Sequence, residues 1–189
     1  MQNVSPSFEA LKSLIETPDL PELGPAPRAS RLPLPALSRK LDGFIQETKL
    51  LQALQPCVRS AALLWHDYLD ESHTIAQNID NADGSFLHAL MHRREPDYGN
   101  AKYWFRRLGR HGSFVQIAQR VESLLDEKSV NELASRLVPH GEWDPFAFVD
   151  ACEAALKPSA PAAPGRILRE IQALEFDALV AHMFQGCQP

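Results

Sequence analysis

At 189 residues, with 44% apolar and 23% charged side chains, the chain can bury one good hydrophobic core but is short for two, and it is not of disordered composition. Its net charge of −5 speaks against the extended basic face that large polyanions need, so nucleic acid is not an expected partner. No apolar run approaches the roughly 18 residues of a membrane crossing, and no membrane contact is expected.

The start, MQNVSPSFEALKSLIE, lacks the basic and apolar regions of a secretory signal. Cys57, Cys152 and Cys187 are odd in number, widely spaced and in no CxxC arrangement. They read as reduced thiols in a soluble cytoplasmic protein.

In chain order, Phe8, Leu11, Leu14 and Ile15 at helical spacing predict a helix over 7–16, with Ser7 as N-cap and Pro18 as stop. Residues 18–35 hold six of the fifteen prolines and read as a loop or linker wrapping the domain surface, with a mobile N-terminal arm as the alternative. Leu41, Phe44, Ile45, Leu51 and Leu54 predict a helix over 38–54. The stripe Ala61, Leu64, Trp65, Tyr68, Leu69, Ser72, Ile75, Ala76 and Ile79 predicts the longest one, over 58–79. Asn81-Ala-Asp-Gly84 breaks it. Ser85 or Asp83 then caps a helix through Leu87, Leu90 and Met91 that ends before Pro96.

Further helices are expected over 100–108, closed by Gly109, over 114–125, and more weakly over 131–138. Asp144 as N-cap with Pro145 in the first turn opens another over 146–156. The loop KPSAPAAPG separates a last helix over 166–184. No strand alternation or internal repeat is evident. The expectation is an all-α fold: a single compact helical bundle-like domain over 38–189, preceded by an N-terminal helix and Pro-rich segment over 1–37. The 57–80 and 84–95 helices should pack as antiparallel neighbours.

Most of the chemistry lies between Trp65 and His111. Four of the seven histidines fall between residues 66 and 92, beside five acids from Asp67 to Asp83. On an unbroken long helix, His66, Asp70, His73 and Gln77 would share one edge at i, i+4, i+7, i+11. On the next helix His88 and His92 are one turn apart, with Glu95 continuing the row. Neutral imidazoles one turn apart can share an ion. A divalent metal is therefore one expected cofactor, with His88 and His92 as ligands and His73, Asp70 or Glu95 completing the set. The competing expectation is a hydrogen-bond network in which carboxylates orient histidines. In an enzyme, His73 or His92 would transfer the proton, oriented by Glu95 or Asp70.

From Arg93 to Arg110 six basic residues face only Glu95 and Asp97, so the remainder of the chain is strongly acidic. Arg93 and Arg106, with Tyr98, Asn100 and Trp104 around them, are the expected binding residues for a small anionic ligand. At least one of the two arginines should be buried and paired, with Glu95, Asp97 and Asp70 as the leading partners. No GxSxG, P-loop, GxGxxG or CxxC is present, which removes local support for covalent hydrolase, nucleotide-loop and thiol-redox chemistry. Two functions stay open: a small-ligand-binding or enzymatic helical domain with a His/carboxylate/Arg pocket, and a non-catalytic structural or interaction module whose polar groups fix helix packing.

The run MHRREPDYGNAKYWFRRLGRH, preceded by LWHDYLDESHTIAQ, resembles a family of uncharacterised microbial all-helical proteins with an HRREPDYxNAKYWFRR-type motif. The resemblance extends through EWDPFAFVDACE and ILREIQALEFDALVAH, covering about residues 60–182. It implies no particular activity, substrate or cofactor. Gly112 stands where the pattern has a proline.

Overall fold

Local signals set most helix boundaries in a computed structural model that describes residues 7–157 and 162–185. Cys187 and part of the KPSAPAAPG loop lie outside the described residues. Ten α-helices and no strand occur among those described. Ser7 accepts a hydrogen bond from Ala10 N and opens α1 (Phe8–Ile15). A proline in its first turn starts α2 (Leu34–Thr48), and Lys49 in the left-handed region ends it. Helix α2 thus begins four residues before the expected start, because proline suits a first turn as well as it suits a loop.

The single long helix expected over 58–79 is two helices, α3 (Gln55–Trp65) and α4 (Leu69–Ala76). They fold back on each other, and Ser60 and Ser72 exchange side-chain hydrogen bonds between them. The break is at Asp67, whose φ is +62°. Left-handed geometry is tolerated by Asp better than by most residues, and here tertiary partners hold it. The helical edge His66–Asp70–His73–Gln77 therefore does not form. His66 caps α3 and its Nδ1 accepts from Leu32 N at 3.1 Å.

Helix α5 (Ala82–Arg94) is capped by Asn81, which accepts from Gly84 N at 2.9 Å, and not by Asp83 or Ser85. A Cβ on Gly84 would meet the Ile79 carbonyl oxygen at 2.3 Å, so this turn needs glycine. Asp97 caps α6 (Tyr98–Leu108), which packs along α5. Next come α7 (Phe114–Glu127) and α8 (Asn131–Leu137). Asp144 accepts from Phe146 N and Ala147 N at the start of α9 (Pro145–Ala155), and α10 (Ala162–Gln185) is the last helix.

Helix α5 lies at the centre. Every residue from Gly84 to Arg94 is buried, so α4, α6, α3 and α10 surround it. A helix enclosed on all sides must satisfy its polar side chains internally. That requirement shapes the site.

Candidate functional site

Three imidazoles meet where α4 crosses α5. His88 and His92 stack with ring centroids 4.9 Å apart, and the His73 ring stands edge-on to them at 4.7 and 5.1 Å. One ring nitrogen from each lies within 4.8 Å of the other two. Trp104, on α6, stacks on His88 at 3.9 Å with an interplanar angle of 11°. The Asn100 amide nitrogen is 3.4 Å from Nδ1 and 3.0 Å from Nε2 of His92. An atom that close to both ring nitrogens sits over the ring and not along either in-plane lone pair. Glu95 Oε2 lies 3.2 Å from His92 Nδ1, and Asp97 Oδ2 lies 3.9 Å from it.

Burial pushes the pKa of His88 down to about 4, with the neighbouring imidazoles and Arg107 adding to the shift. Burial also lowers that of His92, and His73 adds to the effect. Burial raises the Glu95 carboxyl, with Asp70 and Asp97 adding and His73 opposing. His88 and His92 thus favour neutral imidazole.

Glu95 also lines an open cleft of about 700 Å³, shared with Pro25, Arg31, Asp67, Tyr68, Asp70, Glu71 and Asp97. Its walls are the Pro-rich segment, the α3–α4 turn and the α5–α6 turn. Arg31 lies over the Tyr68 ring at 4.7 Å, and Tyr68 donates its hydroxyl to Leu32 O at 2.8 Å. Neither Arg31, Asp70 nor Glu71 forms an ion pair among the described residues.

The expected binding arginines lie elsewhere. Arg93 is 1% exposed and bonds Glu175 of α10 at 2.6 Å. Its partner is Glu175, not Glu95, Asp97 or Asp70, because Glu95 and Asp97 sit past the end of α5 and Asp70 on α4, whereas Arg93 points to the α10 side. Burial works against both charges of this pair, raising the Glu175 carboxyl, while Glu175 in turn raises Arg93. We take the pair as ionised, since a neutral Glu175 would leave a buried, unpaired cation. Arg106 is exposed and forms no ion pair among the described residues. Tyr98 is half-buried away from the imidazoles: burial raises its phenol, with Cys152 and Glu153 adding and Arg93 opposing.

The cleft floor was not foreseen from sequence. Asp67 Oδ2 accepts from Arg28 N and Nε, both at 2.9 Å, and Oδ1 accepts from Arg94 Nη2 at 2.7 Å. Arg28 also bonds Thr17 Oγ1, Asp19 O and Trp65 O. Arg94 reaches Glu22 O, Leu64 O and Gly24 O. One carboxylate between two buried guanidiniums therefore fastens the Pro-rich segment to α3 and α5.

A second group, Asp83, His111 and His182, also has ligand-type atoms within 4.8 Å of one another. The ring nitrogens of His111 are already engaged. Ser113 N donates to His111 Nδ1 at 3.2 Å, so the neutral ring carries its proton on Nε2, 3.1 Å from Asp83 Oδ1. Ser113 Oγ is 2.8 Å from Nδ1, but Ser113 is only 2% exposed, which leaves no room for an acyl substrate. A Cβ on Gly112 would meet His182 Cε1 at 2.4 Å, so this glycine makes space for the imidazole. Gly112→Ala is expected to destabilise the fold by roughly 1–3 kcal/mol through overpacking. His182→Ala added to it should recover most of that loss in denaturant melts. Equal loss with and without His182 would disprove the steric account.

The chain matches no protein-family model, no curated protein and no solved structure. No helix of the described residues is long and apolar enough to cross a membrane.

Proposed function

We propose that the protein binds, and acts on, a small polar molecule in the cleft between the Pro-rich segment and the ends of α3 and α5. The observation that carries this reading is the set Arg31, Asp70 and Glu71, ionisable groups with no ion-pair partner among the described residues, lining one cleft with Glu95, which touches the imidazole cluster. Buried charges end up paired, as Arg93, Arg94 and Asp67 do, whereas Asp70 and Glu71 are exposed and gathered with Arg31 on one cleft. The purely structural reading accounts for those pairs and leaves the cleft unexplained.

The same charges set the ligand class. Asp67 is more than neutralised by its two arginines, and Asp70, Glu71, Glu95 and Asp97 still outweigh that excess and Arg31 together. The proposed ligand therefore carries a cationic group for the carboxylates, and any anionic part meets Arg31. This replaces the anionic ligand expected from Arg93 and Arg106. A thermal-shift screen of amines, amino acids and simple anions is the test. Amine-bearing compounds should stabilise the wild-type protein, by about 2.7 kcal/mol at 100 times Kd, and Asp70→Asn with Glu71→Gln should abolish the response. Stabilisation by anions alone, or an unchanged response in that variant, would refute the assignment.

A further inference from the structure

Beyond ligand binding in the cleft, the imidazole cluster itself carries a more specific inference. We propose that His73, His88 and His92 together hold one divalent first-row transition-metal ion, with zinc the best chemical match. The three rings come from two helices packed against each other. His88 and His92 project from the enclosed helix α5 one turn apart, and His73 comes from α4 across the contact between the helices. Trp104 fixes the plane of His88, and the Asn100 amide covers the face of His92.

Hydrogen bonding separates this cluster from a structural network. No hydrogen bond joins any two of the three rings, which meet by stacking and by edge-to-face contact. His88 Nδ1 is buried with no partner, in a residue 3% exposed. An unsatisfied buried nitrogen is costly, and a metal ion bound at Nδ1 would remove that cost. The contrast is the other His/Asp group, where both nitrogens of His111 are occupied and the tautomer is set against metal binding.

Glu95 supplies the remaining expected feature. A metal-bound histidine generally gives its other N–H to a carboxylate or carbonyl, which orients the ring and raises its basicity. Glu95 Oε2 lies 3.2 Å from Nδ1 without a hydrogen bond as the ring stands, and a turn of the ring would bring it into that role and leave Nε2 of His92 for the ion. Zinc binds imidazole nitrogen at about 2.0–2.1 Å, so the nitrogens must draw closer than the 4.8 Å within which they now lie. His73 is half-buried and its ring makes no hydrogen bond among the described residues, so a small rotation closes the set. Three nitrogen donors suit zinc, iron or cobalt, not calcium or magnesium, which take oxygen. Three protein ligands also leave a coordination position for water or for a group entering from the cleft.

The test needs only the chain described above, freed of metal by chelator and titrated with cobalt(II) and then zinc(II). We expect one equivalent of cobalt with visible d–d absorption, displaced by one equivalent of zinc. His88 and His92 lie in the core, so His73→Ala is the deciding variant, its fold checked by circular dichroism and by the melting of the metal-free form. It should lose more affinity than the roughly 10–100-fold expected for Glu95→Gln, which removes only the partner of a ligand. His182→Ala should bind as wild type does. Absence of stoichiometric cobalt and zinc binding, or wild-type affinity in His73→Ala, overturns the proposal. Because the readout is metal alone, a failed ligand screen and a failed metal site are told apart.

Discussion

Glu175→Ala is expected to destabilise the fold by about 3–5 kcal/mol, one of the two largest effects of any single substitution anticipated here. Arg93 and Glu175 bond at 2.6 Å with side chains 1% and 0% exposed. Removal of the carboxylate leaves a guanidinium beside the Phe148 ring, at 4.4 Å, with no anion to replace the lost one. Cys152, which acts on both members of the pair, cannot substitute, since burial raises its thiol to about 12. Nε and Nη1 of Arg93 already lack partners, so no second acceptor is in reach. Urea melts at unchanged m-value give the measurement. The double replacement Arg93→Met, Glu175→Leu should recover most of the loss, because well-packed apolar groups often match a buried ion pair. A cost under about 1 kcal/mol for Glu175→Ala would mean that water reaches Arg93 and the pair is not sealed.

The helices were legible because apolar spacing and caps are local signals. Ser7, Asp144 and the stripe Ile117, Ala118, Val121, Leu125 place α1, α9 and α7 within a few residues. The break at Asp67 was not legible. The apolar stripe runs on through Tyr68 and Leu69, and the left-handed turn is held by Arg28, 39 residues earlier in sequence. A long-range partner of that kind leaves no periodic trace. The convergence of His73 with His88 and His92 survived the error, because α4 still turns toward α5 after the break.

The arginines were harder. Of Arg93 and Arg106, at least one of which was expected to be buried, only Arg93 is, and its partner comes from α10. A signal for Glu175 did exist: it continues the row Leu168, Ile171 and Leu179 on the inward face of α10, a place where an acid needs a cation. Arg28 had no comparable signal, being one basic residue in a Pro-rich stretch. Arg31 had none either, and its place in the cleft depends on the course of that stretch over Tyr68.

Asp67→Asn should have an effect as large as that of Glu175→Ala, and with a different pH signature. The substitution keeps the shape of the turn but removes the one negative charge shared by Arg28 and Arg94. Two buried cations then face each other, and a loss of about 3–5 kcal/mol at neutral pH is expected. Burial opposes the charged form of Asp67, but the donors from Arg28 and Arg94 outweigh it and hold its pKa below the ordinary 3.8. A depressed folded-state pKa contributes stability that is fully present above the unfolded value. That stability is lost as pH falls from about 4 toward the folded value. Wild type should therefore lose the Asp67 contribution over this acid window, while Asp67→Asn, already without it, shows a shallower acid limb. The difference between the two curves isolates the one residue from other carboxyls. The same change loosens the Pro-rich wall that carries Pro25 and Arg31, so any ligand response of the cleft should weaken with it. Parallel acid limbs for the two proteins would show that Asp67 is not the anion securing the Pro-rich segment.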